Sequence, residues 1–383
     1  MADSDNSEVA AVTQWAPENY GRLKESRGRG SWRGTVVAAL VGMSLVVVGC
    51  GASTSSTSSR VVGVWSRSPT PGGSGQSIDS MSCPSASFCV GVGGPTDSGS
   101  GHGYGWTYDG SSWRAPVVAD PSSVLVAVSC ASPSFCVAPD LDAGFTTFDG
   151  SSWSATKPFD PDGVPVALSC LSEHFCLAVG QEDVDPSLAT FVAAAWVFTG
   201  SGWSRPMVVA ANAFLSSVSC TSSTHCVAAG GTEASSGPVS PALVATFNGS
   251  KWSRPLAVGQ GFTLGSVSCP SPRFCVAGAG SPGDPTGPGD VLTYNGSRWS
   301  SALKIDSAPL NDDALSCPTP TFSVVADVRG QVVTYDGSSW SSPQHVLGAA
   351  SMVTLSCRSS SLCFAANLGA KVYQWRRSDG STT

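Results

Sequence analysis

Residues 265–299 read GSVSCPSPRFCVAGAGSPGDPTGPGDVLTYNGSRW. Two cysteines, Cys269 and Cys275, are separated by five residues and flanked by short apolar runs. A long Gly/Pro/Asp stretch follows, then an apolar run to Tyr294, an Asn–Gly pair and Trp299. Asn–Gly accepts positive φ and closes tight hairpins. The stretch reads as strand, cysteine-bounded turn, strand, long loop, strand, glycine turn, strand.

The unit recurs. Its first cysteine stands at Cys83, Cys130, Cys170, Cys220, Cys269, Cys317 and Cys357, at intervals of 40 to 50 residues. Its second signature is an aromatic and a Trp five residues apart. The pairs are Tyr108/Trp113, Phe148/Trp153, Phe198/Trp203, Phe247/Trp252, Tyr294/Trp299 and Tyr335/Trp340. A period of this length with four strand signals per unit marks propeller blades. The last unit stops after its third strand, while residues 61–69 (VVGVWSRSP) form an orphan fourth strand ahead of the first. The expected fold is therefore all-β, a seven-bladed β-propeller of four-stranded blades over 61–378. The N-terminal strand completes the last blade and hides two open sheet edges.

Composition agrees. Only 12% of the 383 residues are charged, and Gly alone contributes 43. Such a chain suits short strands and turns. The net charge of −7 argues against a nucleic-acid partner.

Fourteen cysteines are present. Twelve form six pairs of identical spacing: Cys83/Cys89, Cys130/Cys136, Cys170/Cys176, Cys220/Cys226, Cys269/Cys275 and Cys357/Cys363. Regular pairs in a turn-rich chain suggest disulfides and an oxidising compartment. Zinc would need tighter knuckles or nearby His, and only four His occur. No metal or cofactor is expected. Unit six has Ser323 where a partner for Cys317 would stand, so Cys317 is expected to be a buried free thiol.

The N-terminus has its own character. Residues 1–33 are polar with a basic end, 34–50 are apolar, and 51–60 are a Ser/Thr-rich tether. A basic flank before a short apolar core is the signal-peptide pattern. The run ends Val47–Val48–Gly49–Cys50, which resembles the lipobox of bacterial lipoproteins and implies lipidation of Cys50. An uncleaved signal anchor is the alternative. Either places the propeller outside the cytoplasm, held at the cell membrane by lipid or by a single pass.

Gly93–Gly94 and Gly230–Gly231 after the second strand, followed by the aromatic/Trp signature, resemble kelch repeats. The Asp–Gly–Ser–Ser–Trp run is similar to the Asp-box of sialidase-type propellers, one residue shorter between Asp and Trp. These resemblances imply a fold and not an activity.

Strand parity puts the long, variable loops on one face of the ring, and acidic residues concentrate there. Asp97, Asp140, Asp142, Glu182, Asp183, Asp185, Asp284 and Asp290 are the candidate binding residues; Asp312 and Asp313 share the face. Variable loops on a rigid scaffold are the usual seat of function. The expected function is a non-catalytic, monomeric surface module that binds a protein or a glycan. The alternative is a sialidase-like or other glycoside-acting enzyme. That would need an arginine cluster and a Tyr–Glu pair, yet few Arg (Arg273, Arg329, Arg358) lie away from the Trp signatures. A copper oxidase of the kelch type would need His ligands, and the four His fall in unlike repeat positions. No catalytic residue is assigned.

Overall fold

The computed structural model describes residues 63–69, 75–96, 101–185, 190–232, 241–280, 287–346 and 352–378. The N-terminal segments, Cys50 among them, lie outside the described residues. Every element described is a β-strand.

The chain enters through β1 (Gly63–Ser68). Blade one is β2 (Ser80–Ser85), β3 (Phe88–Gly93), β4 (Gly103–Tyr108) and β5 (Val117–Asp120). Blade two is β6 (Ser129–Ser132), β7 (Phe135–Pro139), β8 (Gly144–Phe148) and β9 (Lys157–Pro158). Blade three is β10 (Gly163–Ser172), β11 (Phe175–Asp185), β12 (Thr190–Phe198) and β13 (Met207–Ala211). Blade four is β14 (Ala213–Ser222), β15 (His225–Thr232), β16 (Pro241–Phe247) and β17 (Leu256–Gln260). Blade five is β18 (Thr263–Ser271), β19 (Phe274–Gly280), β20 (Gly289–Tyr294) and β21 (Leu303–Asp306). Blade six is β22 (Leu310–Thr319), β23 (Phe322–Asp327), β24 (Gln331–Tyr335) and β25 (Gln344–His345). Blade seven is β26 (Met352–Ser359), β27 (Leu362–Asn367) and β28 (Val372–Arg377), with β1 as its outer strand. The β1–β28 register runs antiparallel from Gly63↔Arg377 to Ser68↔Val372, which closes the ring as the orphan strand implies.

Each blade is an antiparallel meander, and the first strands of successive blades touch around the axis. A belt of side-chain hydrogen bonds joins those strands. The serine before each first cysteine accepts from the amide of the next blade's cysteine. Ser82 takes Cys130, Ser129 takes Cys170, Ser169 takes Cys220, and Ser219 takes Cys269. Ser268 takes Cys317, Ser316 takes Cys357, and Ser356 takes Cys83 across the seam. These bonds satisfy inner-strand amides that face the preceding blade rather than a ladder partner.

Six disulfides bridge the hairpins of the first and second strands, and their pairing is the one the spacing implies. They are Cys83–Cys89, Cys130–Cys136 and Cys170–Cys176 in blades one to three. Cys220–Cys226, Cys269–Cys275 and Cys357–Cys363 follow in blades four, five and seven. The second member of every pair is the more deeply buried. Cys89, Cys136, Cys176, Cys226, Cys275 and Cys363 are all 0% exposed, because the second strand is covered by the neighbouring blade on each side. Cys317 is a free, buried thiol. Burial pushes it up to about 12, against hydrogen bonds to Ser323 and Ser268. It still supplies its amide to the belt, so blade six keeps the interblade tie without the covalent one.

The aromatic/Trp pairs are packing. Their rings lie 5.2–5.6 Å apart in the six blades that carry the full signature. They also reach the preceding blade: Trp203 packs edge-on against Phe145 and Trp113 against Phe364. The glycines between them, such as Gly110 and Gly337, hold φ of 93° and 96°, which a side chain would strain. The preceding Asp or Asn caps the turn; Asp109 Oδ1 accepts from the amides of Ser111 and Ser112, both at 3.0 Å. The fourth strand does not begin at the Trp that follows the glycine turn. Trp113 makes a single bridge to Tyr108, and the ladder resumes at Val117. Pro116, which cannot donate, separates the two.

Candidate functional site

The loops between second and third strands, and between blades, share one face. Their lengths divide the ring. Blades two, six and seven have short turns there, whereas blades one, three, four and five carry longer connections or longer strands. The fourth residue past the second cysteine, or past Ser323 in blade six, decides which. In the short-turn blades it is Asp140, Asp327 or Asn367. The Asp140 carboxylate accepts from the amides of Asp142 and Gly144, Asp327 from Arg329 and Gln331, and the Asn367 amide oxygen from Gly369 and Lys371. In blades one, three and four that residue is Gly93, Gly180 or Gly230, where a Cβ would run into backbone at the head of the first strand.

The disulfide cysteines take no part in this face. Cys89, Cys136, Cys176, Cys226, Cys275 and Cys363 sit with their partners at the opposite ends of the first two strands, beneath the short hairpins. They are closed, buried bridges that hold the scaffold and offer nothing to a ligand.

The sequence-derived acids separate. Asp140 is 3% exposed and engaged in its turn and with Asp120. Burial is the main cause that lifts it to about 6, with the Asp120 charge adding to it. Asp142 is exposed on the same turn, and Glu182 and Asp183 are half-buried on β11. Burial raises Glu182, and the charges of Asp160 and Asp162 add to that. Asp290 is half-buried and raised by burial, against the pull of Lys304. Asp185 ends β11. Asp97 and Asp284 lie outside the described residues. Among the described residues, no group of three or more His, Cys, Asp or Glu is arranged to hold a metal ion.

Asp312 and Asp313, two among many acids on this face by sequence, form with Asp79 a distinct group at the mouth of the central channel. β22 carries a bulge larger than that of the other inner strands. Leu310 pairs with Asp327 and Leu315 with Val325, so five steps on one strand oppose two on the other. In blade five Leu264 to Ser266 opposes Ala279 to Gly278, two steps against one. The extra residues push Asp312 and Asp313 out at the start of the inner strand. Asn311 anchors the bulge from below, donating to the carbonyls of Met352 and Asp327. The Asp312 carboxylate lies over Gly265 of blade five, in space a Cβ would occupy.

Asp79, at the head of blade one's inner strand, completes the group. Asp312 and Asp313 are exposed on β22, yet protein crowds their carboxyl groups. Desolvation raises Asp312 to about 6. It raises Asp313 to about 8, with the charges of Asp312 and Asp79 contributing. Asp79 is raised to about 6 by desolvation, against hydrogen bonds from Ser77 and the Gly94 amide. No hydrogen bond reaches the Asp312 or Asp313 carboxylate among the described residues. Three carboxyl groups held in this way favour any cation that enters the channel mouth.

The arginines a sialidase-type site would gather do not meet. Arg273 and Arg358 belong to the hairpin ends of blades five and seven, and Arg329 to the opposite face of blade six.

No family model and no curated protein matches the chain. Solved propellers do. YCF48 bound to D1 peptide aligns over 82% of this chain and 97% of its own, with 17% identity and a TM-score of 0.59. The WD40 β-propeller domain of Doa1 aligns over 83% and 98%, with 12% identity and a TM-score of 0.61. YCF48 from Cyanidioschyzon merolae aligns over 82% and 98%, with 13% identity and a TM-score of 0.57. The chain shares their fold. At such identities the likeness reaches no further than architecture.

Proposed function

We propose that the propeller is a non-catalytic binding module that takes a basic segment of a protein partner at its acidic channel mouth. The observation that carries this is the Asp79, Asp312 and Asp313 group. Each is raised by desolvation, and an inserted Lys, Arg or N-terminal amine would relieve all three. The surrounding face supplies the variable loops that would read the rest of the partner. That a structurally similar propeller, YCF48, is seen with a bound peptide supports the use of this architecture for peptides. The kelch and Asp-box resemblance fits the same reading, because the repeated Asp, Gly and Trp here serve turns and packing.

The six disulfides and the N-terminal apolar run support a place outside the cytoplasm, anchored at a membrane by lipid on Cys50 or by the run itself. The test is fluorescence polarisation of the full-length chain against Lys- and Arg-bearing peptides and their acetylated or citrulline counterparts. Binding should require the positive charge, strengthen as pH rises through about 6 to 8, and be lost in the double variant Asp312→Asn/Asp313→Asn. Equal binding of charged and neutral peptides, or an unaffected double variant, would overturn it. Binding on a glycan array that ignores these aspartates would move function to the outer loops.

A further inference from the structure

Two pairs of buried carboxylates occupy equivalent clefts between blades. Asp120 ends the outer strand of blade one opposite Gly103, and Asp306 ends that of blade five opposite Gly289. Across the cleft, Asp140 lies opposite Leu125, and Asp327 opposite Leu310. The four are 0–4% exposed. Carboxylates at such burial require partners.

The first pair has them. Asp120 accepts from the amide and hydroxyl of Ser122, from the amide of Ser123, and from Thr156 at 2.8 Å. It is also hydrogen-bonded to Asp140. The second pair has lost both hydroxyls. Ala308 stands where Ser122 stood, two residues past the aspartate, and Pro343 stands where Thr156 stood, three past the Trp. The Ala308 amide still reaches Asp306 Oδ1. The Oδ2 atoms of Asp306 and Asp327 are buried without a partner. Burial raises Asp327, and the Asp306 charge adds to that; the Arg329 charge pulls the other way, yet Arg329 forms no ion pair with either. The ion pairs among the described residues are Arg114–Asp109 and His174–Glu173. Blades five and six thus keep two buried carboxylates where the hydroxyl donors have been removed and backbone amides alone remain, all on the Oδ1 atoms.

We infer that the cleft between blades five and six binds a hard divalent cation, calcium by its ligand chemistry, between the carboxylates of Asp306 and Asp327. Both side-chain donors are oxygen, which excludes soft-metal preference, and calcium tolerates an irregular shell completed by backbone carbonyls and water. Side chains supply two ligands only, so the affinity expected is that of weak extracellular calcium modules, a Kd of about 10⁻⁴–10⁻³ M. The ion would also brace the blade-six bulge, because Asn311 donates to the Asp327 carbonyl.

Calorimetry of the full-length chain with calcium chloride, paired with thermal melts in EGTA and in excess calcium, tests this. The expected result is one ion per chain and a melting midpoint that rises saturably with calcium. Asp327→Asn should weaken binding at least about tenfold, and Asp140→Asn should leave it unchanged. The double variant Ala308→Ser/Pro343→Thr restores the hydroxyl donors without touching a carboxylate. It should weaken calcium binding while melting normally in EGTA. No heat and no midpoint shift for the wild type would overturn the site. So would an Asp327→Asn variant that melts higher than wild type with and without calcium, which is the behaviour of two carboxyls sharing a proton.

Discussion

The amide of Cys83 donates to the hydroxyl of Ser356 at 3.1 Å, joining residues 273 apart in the chain. This bond closes the serine belt at the seam where the first blade meets the last. Ser356→Ala would leave a part-buried amide without its acceptor and should cost about 1–3 kcal/mol. Urea denaturation monitored by tryptophan fluorescence gives the number. A change below the error of the midpoint would mean the seam is not bonded in solution.

The outer strand of the seam can be tested separately. Gly63 sits on the ring of Trp375, and a Cβ there would fall inside the indole. Gly63→Ala should lower stability by about 1–3 kcal/mol through this overlap. In a chain whose N-terminal strand did not pair with β28, the same substitution would be silent. Equilibrium unfolding of the two proteins side by side distinguishes these cases.

Blade six lacks only one sulfur. Ser323 is fully buried beside Cys317, within a hairpin that matches those bearing disulfides. It occupies the place that Cys89, Cys136, Cys176, Cys226, Cys275 and Cys363 fill in the other blades. Ser323→Cys should form a seventh bridge and stabilise the protein by up to about 2 kcal/mol, the chain-entropy value for so short a loop. The wild type should show no thiol at Cys317 to Ellman's reagent until unfolded, and the oxidised variant none at that position even then. A variant that retains two titratable thiols there would show that the hairpin cannot accept the bridge.

Stability should peak in mild acid. Asp79, Asp140 and Asp312 are raised to about 6 and Asp313 to about 8, from an ordinary 3.8. Each binds its proton more tightly folded than unfolded, so its contribution is full below about pH 4 and fades as pH rises through the folded value. Asp109 runs the other way. Hydrogen bonds from Ser111 and Ser112 lower it to about 2, and its contribution is lost as pH falls from about 4 toward 2. Denaturation midpoints at several pH values should therefore decline between about pH 5 and 8. Asp313→Asn should flatten the upper part of that decline. A midpoint that climbs steadily to pH 8 would contradict the assignment.

The ring was legible because its markers are local. Cysteine spacing, the Asp–Gly turn and the missing fourth strand of the last unit can each be counted along the chain. The belt leaves a mark as well, a serine immediately before every first cysteine from Ser82 to Ser356. Yet a serine on an inner strand looks like ordinary polar filling until the next blade is placed beside it. The channel acids were harder still. Asp312 and Asp313 stand apart from their neighbours only when Leu310 is aligned with Leu264, which needs strand register rather than cysteine spacing. Asp140 shows the converse: placed on the binding face by its loop, it turns inward because a short turn needs a side-chain oxygen to cap its amides.

Each blade brings one serine acceptor and one cysteine amide to the belt, arranged head to tail. A duplicated blade would arrive with both, and a deleted blade would remove both. The belt would be complete at six members or at eight. Its hydrogen bonds therefore set no ring size; the number seven must come from the wedge angle at which neighbouring blades pack, through Trp203 on Phe145 and its counterparts. A lineage of such chains could change its blade count in one recombination event without passing through a protein with an unpaired inner strand.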